Sequence, residues 1–347
     1  MDKIDGHIYY DVLYNNTLTI PQKAYFYEAR TQNLLDVGCY YHLSVVRFTI
    51  PTFSIPLFLY KTVNNDGVTP NNSYYSFTFI FGGISYTSFL TYQKWTTSPL
   101  PGIYCYQNWI DTCNIALRNG HEYMTIHAVS YPASCPPYFI YNASTQVISL
   151  IADKTYFCNT LPTTGIQLYS NFVLHKFYES IPHIEISTNS PIGADALFVI
   201  ESTGNNDTVT NYPVWLGTYP SVSAYQMDAQ YQVLQNWSSL KSIVFTSMNL
   251  CTRQESVQNP YTINTNSQIS IITDFEPERS ELASNRSWEQ YSAKIYRFID
   301  IITTSAIKEI DISVYWSSLD GLLYPIYINP GEYFSMKILF KRKDLVL

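Results

Sequence analysis

Ile307-Lys-Glu-Ile-Asp-Ile-Ser-Val-Tyr-Trp316 is the stretch of sequence that decides the fold. Every second side chain from Ile310 to Trp316 is apolar, whereas Asp311 and Ser313 lie between them. A period of two is expected of a strand with one buried and one exposed side. The sequence therefore predicts a strand that buries Trp316 and turns Asp311 away from the core.

The segments around this stretch repeat the pattern of short apolar runs joined by tight turns. Such runs cover residues 294–304, 322–328 and 333–340, and their joints contain Asp320-Gly321 and Pro330-Gly331. Asp-Gly and Pro-Gly supply the backbone conformations that a tight reversal of the chain needs. This region is therefore predicted to form the closing strands of a β-barrel or β-sandwich.

Strand-like runs rich in β-branched and aromatic residues also dominate the first half of the chain. They cover residues 7–14, 24–27, 41–50, 74–81, 86–92, 138–141, 146–151 and 166–169. Helical periodicity is confined to residues 107–118, which Asn119-Gly120 should end, and to residues 170–178. The sequence thus predicts an all-β fold with few short helices.

A segment rich in turn-forming residues suggests where the chain divides. Residues 187–210 contain Pro191, Gly193 and the run Gly204-Asn-Asn-Asp207. We therefore predict an N-terminal β-domain over 1–186, which holds the helix 107–118, and a C-terminal β-domain over 187–347. Each has about the size of a jelly roll. Two tandem jelly rolls and one jelly roll with a large insertion both fit this pattern.

The composition indicates a surface made for protein contacts. Of the 347 residues 46% are hydrophobic and only 14% are charged, against roughly 25% charged in ordinary soluble proteins. The 32 tyrosines must cover much of that surface, and tyrosine suits contacts that are partly buried. A codon bias toward Tyr, Asn and Ile in an AT-rich genome would give the same composition.

The charge pattern argues against broad binding of nucleic acid. The net charge is -7, whereas a nucleic-acid-binding protein normally has a basic face. The local exception is a basic cluster near the end, formed by Lys337, Lys341, Arg342 and Lys343. A solvated end explains this cluster, and a weak contact with packaged nucleic acid or a neighbouring subunit is the alternative. No apolar stretch is long enough to predict a membrane span, and no secretory signal is visible.

Residues that could support chemistry do not form a recognisable motif. The six cysteines, at positions 39, 105, 113, 135, 158 and 251, lack C-x-x-C spacing and are predicted to be free thiols. His121-Glu122 and His127 do not fit the H-E-x-x-H pattern. The acidic stretch 274–278 is more typical of a polar turn than of a cation site. We therefore predict no catalytic, cofactor-binding or metal-binding residues, and no enzyme.

Several segments of the chain resemble a family of viral proteins. They are residues 30–36, 41–51, 54–58, Pro137-Tyr-Phe-Ile-Tyr141, 147–151, Thr273-Asp-Phe-Glu-Pro277, 296–300 and 311–340. Together they resemble the minor capsid, or penton-type, proteins of virophages and Polinton-like double-stranded DNA viruses. The resemblance implies a jelly-roll subunit of the virion that forms homopentamers at icosahedral vertices beside the major capsid protein. It implies no catalytic or ligand-binding role.

Two other functions remain open at this point. A small double jelly-roll major capsid protein would form trimeric capsomers instead of pentamers. A soluble carbohydrate- or receptor-binding β-sandwich would use aromatic side chains as stacking platforms for sugars, and the chain has tryptophans at positions 95, 109, 215, 237, 288 and 316. A glycosidase would need two carboxylates at a defined separation, and the sequence places no such pair.

Overall fold

The computed structural model describes residues 6–52, 54–94, 100–159, 165–186, 193–210, 217–232, 237–250, 252, 254–258, 266–277, 288–292 and 297–343. Two α-helices are present in these ranges, α1 (Tyr106–His127) and α2 (Phe172–His175). The strands are β1 (His7–Asn15), β2 (Gln22–Lys23), β3 (Tyr25–Ala29), β4 (Tyr41–Pro51), β5 (Phe58–Leu59), β6 (Ser76–Phe81), β7 (Ile84–Phe89), β8 (Gly102–Ile103), β9 (Tyr138–Asn142), β10 (Val147–Asp153), β11 (Gln167–Ser170), β12 (His183–Glu185), β13 (Ala196–Phe198), β14 (Asp207–Thr210), β15 (Val222–Asp228), β16 (Leu240–Thr246), β17 (Gln254–Gln258), β18 (Asn266–Phe275), β19 (Trp288–Ser292), β20 (Ile299–Asp300), β21 (Glu309–Ser318), β22 (Leu323–Pro325), β23 (Tyr327–Ile328) and β24 (Tyr333–Arg342).

Strands β1–β4 and β16–β24 form what we call the terminal module. One of its sheets, the β1 sheet, has the order β1-β24-β4-β19, with β20 also paired to β4. The other, the β21 sheet, has the order β17-β18-β16-β21-β22, with β3 also paired to β21. Their apolar side chains share one core, which contains Leu43 and Ile338 of the first sheet and Phe245 and Ile312 of the second. Two sheets joined through one core form a β-sandwich.

Strands β5–β15 and both helices form the inserted module. Its larger sheets have the orders β12-β13-β11-β6-β7 and β14-β15-β10-β9. Helix α1 shares a core with both sheets, and this core includes Trp109 of α1, Phe77 of β6 and Leu150 of β10. The Trp109 ring lies 5.1 Å from that of Phe58 and 4.9 Å from that of Phe177, measured between centroids. The second module is therefore organised around one buried helix face.

The strand pairing crosses the predicted domain boundary between residues 186 and 187. Strand β1 pairs with β24, and His7 lies opposite Lys341. Strand β12, before the boundary, pairs with β13, after it. The predicted division into 1–186 and 187–347 does not match this pairing, which favours one sandwich interrupted by a large insertion. The turn-forming residues connect two adjacent antiparallel strands, β12 and β13, and do not separate two domains. The pairing of distant strands such as β1 and β24 cannot be predicted from local sequence.

Most of the predicted strands are confirmed. Every run proposed for the first half contains a strand, and the closing series contains β20–β24. The turns lie where the sequence placed them, because Gly321 and Gly331 both have positive φ angles, of 84° and 79°. The alternation along β21 is confirmed for its apolar side chains, and Trp316 is completely buried.

Helix α1 is longer than predicted, so the expectation of only short helices is wrong. It has 22 residues and continues through Asn119 and Gly120 to His127. Gly120 is buried, and a Cβ atom there would lie 2.2 Å from Cε2 of Phe79. Glycine therefore occupies this position because β6 approaches the helix closely, and it does not mark the end of the helix. The second predicted helix, 170–178, is reduced to α2 (Phe172–His175).

Replacing Gly120 with alanine should destabilise the protein by up to about 2 kcal/mol, the difference between an overpacking cost of about 1–3 kcal/mol and a gain of about 1 kcal/mol in helix propensity. The added methyl group would push Phe79 out of a filled core, and this cost exceeds the gain of roughly 1 kcal/mol in helix propensity. Urea denaturation measures the difference. The control is Asn119→Ala, because Asn119 is exposed on the same helix and should tolerate alanine. Equal stability of the two variants would contradict the close contact between α1 and β6.

Asp311 departs from the predicted alternation because it is buried. Its carboxylate accepts hydrogen bonds from the Ser247 hydroxyl at 2.7 Å and from the backbone amides of Met248 and Asn249 at 2.9 and 2.8 Å. The turn that follows β16 therefore covers the outward side of β21 at this point. A carboxylate that accepts several backbone N–H bonds acts as a cap for a turn. Asp311 thus stabilises structure on the side of the strand that was expected to face solvent.

Candidate assembly surfaces

The side chains that the sequence singled out for chemistry do not converge. His121 lies on α1, where its Nδ1 is 3.0 Å from the Tyr156 hydroxyl, and burial lowers its pKa to about 4. Asp274 forms an ion pair with Arg297 at 3.1 Å, and Glu278 lies outside the described residues. Within the described ranges, no group of three or more His, Cys, Asp or Glu side chains could hold a metal ion.

The three tryptophan side chains that the structure describes are buried, and so are three of the five described cysteines. Trp109, Trp237 and Trp316 are buried and therefore cannot serve as stacking platforms for sugars. Trp95 and Trp215, together with the side chain of Trp288, lie outside the described part of the chain. Five cysteines are free thiols, at positions 39, 105, 113, 135 and 158, and Cys251 is not described. Burial strongly raises the pKa of Cys113, whose sulfur lies 2.9 Å from the Tyr178 hydroxyl.

The buried His175, which packs against the partly exposed His183, gives the inserted module a sensitivity to acid. The rings of His175 and His183 lie 4.0 Å apart, and neither ring nitrogen of His175 has a hydrogen-bond partner among the described residues. Burial and the neighbouring His183 together lower the pKa of His175 to about 4, whereas Glu185 and Glu179 act in the opposite direction. His175 is therefore neutral in the folded protein near neutral pH.

The stability of the protein should fall as the pH drops from about 6.5 toward 4. The pKa of His175 is lower in the folded than in the unfolded chain, so stability is complete above about 6.5 and is lost as the unfolded chain takes up protons. His175 alone should remove about 1–2 kcal/mol between pH 7 and pH 5. His175→Met should reduce the acid loss by that amount, whereas a substitution of the exposed His127 by glutamine should leave it unchanged. Identical pH profiles for His175→Met and the unaltered chain would disprove this role.

The basic cluster of the last strand is engaged within the chain. Lys337 lies 3.4 Å from Asp11 of β1, and Lys343 lies 2.8 Å from Asp300 of β20. The ammonium group of Lys341 lies over the Phe298 ring, 5.3 Å from its centroid. These contacts within the chain account for three of the four basic side chains, and the alternative of a weak contact with nucleic acid or a neighbouring subunit stays a prediction.

The outward side of the β1 sheet presents exposed apolar and basic side chains, and we call it the basic face. It consists of Tyr9, Leu13, Arg47, Tyr333 and Lys337, which register and exposure place on one side of the sheet. Leu13 is 62% exposed, and Lys337 lies over the Tyr9 ring at 5.7 Å. The sequence-based predictions did not include this face. Strand β1 has apolar residues on both of its sides, and that pattern is the feature of the sequence that indicates a contact surface here.

The outward side of the β21 sheet, near β3, forms a second surface, which we call the acidic face. It consists of Tyr25, Tyr27, Met248 and Glu309, and Met248 belongs to the turn that covers the buried Asp311. Tyr27 is 50% exposed, and the hydrogen bond that it donates to Glu309 raises the pKa of its phenol. The two faces lie on opposite sides of one sandwich, because β1 and β3 belong to its two different sheets.

The turn after β1 extends the basic face with two more exposed apolar side chains, Leu18 and Ile20. The turn is anchored by the buried Asn16, whose side-chain amide donates to the carbonyls of Ile20 and Ile328 at 2.9 and 2.8 Å. Its side-chain oxygen accepts from the Leu18 amide at 3.0 Å. These apolar groups are therefore presented to solvent by an ordered turn.

The inserted module has its own exposed apolar patch at the end of α1. Ile126 and Val129 are 77% and 89% exposed. Beside them the rings of Tyr86 and Tyr123 stack at 3.8 Å, and His127 lies 4.1 Å from Tyr123. In the helices described, no segment is long and apolar enough to span a membrane. Each of these three surfaces of the described chain therefore exposes apolar side chains.

Comparisons with known proteins agree with a structural role. The chain matches the family described as Sputnik minor capsid protein V18/19 over residues 8–102 and 96–342. It is 34% identical to structural protein V19 of Sputnik virophage over 217 residues, which are 60% of this chain and 94% of that protein.

Two solved structures are similar to the whole chain. One is a chain of the 3.5 Å cryo-EM structure of the Sputnik virophage, with 29% identity, a TM-score of 0.76, and coverage of 98% of this chain and 99% of that one. The other is the mavirus penton protein, with 13% identity, a TM-score of 0.64, and coverage of 97% and 99%. At that identity the second comparison shows the fold.

The fold and the exposed faces define a jelly-roll structural protein of a virus particle. The chain belongs to the Sputnik minor capsid protein V18/19 family. The predicted family resemblance and the predicted location in the virion are thereby confirmed.

Proposed function

We propose that this minor capsid protein forms a homopentamer at the icosahedral vertices of the virion, where it contacts the major capsid protein. The observation that carries the proposal is the presence of two different exposed faces on the terminal module. A single patch would suffice for a two-fold dimer, whereas a ring needs two unlike surfaces on every chain. The match to a family of minor capsid proteins and the fold shared with a penton protein support it.

In this proposal the terminal module is the base of the vertex, and the inserted module extends from it. The first and last described strands, β1 and β24, and both faces lie in the terminal module, so the surfaces available for neighbouring capsid proteins concentrate there. The proposed role uses no catalytic group, since surface complementarity is sufficient for assembly.

Light scattering coupled to size-exclusion chromatography tests the proposal. The expected particle has five times the 40.0 kDa mass of one chain and appears as a five-fold ring in negative-stain images. It should persist at high ionic strength, because apolar contacts are little screened by salt while exposed ion pairs weaken. A trimer would favour a double jelly-roll capsomer. A stable monomer at high micromolar concentration that binds glycans would favour a carbohydrate-binding module.

A further inference from the structure

The proposed pentamer, on which this inference rests, constrains how its subunits meet. In a five-fold ring each copy contacts two neighbours, and the surface it presents to one differs from the surface it presents to the other. Such a heterologous contact requires two complementary surfaces on every chain. The described residues of the terminal module offer such a pair, the basic face and the acidic face.

We infer that the basic face of one copy packs against the acidic face of the next copy. Each face is built on an edge strand, β1 in one case and β3 in the other. Each exposes large side chains that an isolated subunit leaves in water, namely Tyr9 and Leu13 on one and Tyr25 and Tyr27 on the other. Tyrosine supplies apolar contact area and a hydroxyl that can be satisfied at the rim of an interface.

The charges of the two faces select this pairing over its alternatives. On the outward side of the β1 sheet, Arg47 and Lys341 remain after the Asp11–Lys337 and Asp300–Lys343 pairs are matched. On the acidic face, the exposed carboxylate of Glu309 supplies the negative charge, and the buried carboxylate of Asp311 lies beneath the turn after β16. A contact between two basic or two acidic faces would bring like charges together, whereas basic against acidic is complementary. In this arrangement the buried apolar area stabilises the interface, and the charges determine that a basic face binds an acidic face.

The two faces are held in a fixed relation to each other. Tyr10 of β1 donates a hydrogen bond to Glu28 of β3, and Arg30 forms an ion pair with Glu28 at 3.0 Å while lying over the Tyr10 ring. The edges of the two sheets are therefore tied together. The angle between the two faces of one subunit fixes the rotation between neighbouring subunits, and this rotation sets the number of copies that close a ring. The contacts between β1 and β3 keep that angle constant and therefore favour a ring of one size.

Two double variants test the inference. Leu13→Asp with Arg47→Glu disrupts the basic face, and Tyr25→Ser with Tyr27→Ser disrupts the acidic face. All four side chains are exposed, so both variants should fold. Each alone should be monomeric by light scattering at a concentration at which the unaltered chain is pentameric. An equimolar mixture should form a heterodimer of only two chains, because one intact basic face meets one intact acidic face and the other two faces are blocked. The heterodimer would also show that both variants are folded.

A matched control uses the patch on the inserted module. Ile126→Asp with Val129→Lys changes two highly exposed apolar residues of the inserted module, which belong to neither face, and this variant should remain pentameric. Three outcomes would overturn the inference while leaving the pentamer in place: both face variants remain pentameric, their mixture stays monomeric, or only the control variant dissociates. An unaltered chain that is monomeric or trimeric would instead refute the pentamer, and this inference with it.

Discussion

Replacing Trp316 with alanine should destabilise the terminal module by about 3–5 kcal/mol, the range found for removal of large buried aromatic side chains. Trp316 is completely buried in the core of the sandwich and stacks on Tyr324 with a centroid distance of 4.6 Å. Strand β21, which carries it, pairs with β16 on one side and β22 on the other. The cavity left by the indole would therefore lie where three strands meet and could not collapse easily.

Chemical denaturation followed by tyrosine and tryptophan fluorescence measures this effect. The matched control is Tyr315→Ala, because Tyr315 precedes Trp316 on the same strand and lies half-buried on the opposite side. It should cost clearly less than Trp316→Ala. If the tyrosine variant were the less stable of the two, the strand would face the other way, since a shift of one residue exchanges the two sides of a strand.

Replacing Asp311 with alanine should cost roughly 3 kcal/mol, because hydrogen bonds to an ionised group contribute about 1.5–3 kcal/mol and unsatisfied buried donors add to the loss. The substitution would leave the amides of Met248 and Asn249 and the hydroxyl of Ser247 without their acceptor. Ser247 in turn accepts a hydrogen bond from the Leu250 amide at 2.8 Å. The whole turn after β16 therefore depends on this carboxylate.

Hydrogen exchange separates this mechanism from a general loss of packing. In Asp311→Ala the amides of Met248 and Asn249 should exchange much faster, while those in the centre of β16 change less. Ser313→Ala is the control, because Ser313 lies two residues further along the same side of β21 and is only half-buried. If Asp311→Ala were as stable as Ser313→Ala, the capping role would be refuted.

The strands and the core could be predicted because their signals are local. The alternation that predicts a strand lies within seven residues, from Ile310 to Trp316. The turns at Gly321 and Gly331 likewise depend on the backbone conformation of single residues. Gly120 was wrongly predicted to end helix α1, because glycine both ends helices and allows close packing between elements. Only the position of Phe79, which the sequence does not give, shows that close packing is the reason here. Asp311 was misread because its partners lie more than sixty residues away.

The existence of surfaces for protein contacts could be predicted from the sequence, but the residues that form them could not. The abundance of tyrosine and the scarcity of charge indicate extensive protein contacts, but they do not show which tyrosines are exposed. Tyr60 and Tyr178 are buried, whereas Tyr9 and Tyr27 are not, and this difference follows from strand pairing across the whole chain. The candidate tryptophans illustrate the same limit, since Trp109 packs in the core.

Because β24 lies between β1 and β4 in its sheet, this protein has an order of folding built into its topology. Segments at opposite ends of the sequence must meet before that sheet exists, and contacts of high sequence separation form slowly. The described strands of the inserted module pair only with one another, and they come from one continuous stretch of chain. This module can therefore fold during synthesis, before the partner strands of β1, β3 and β4 have been made. Both sheets of the terminal module stay incomplete until β21 and β24 have been synthesised, so the two faces proposed for assembly would form only on a nearly finished chain.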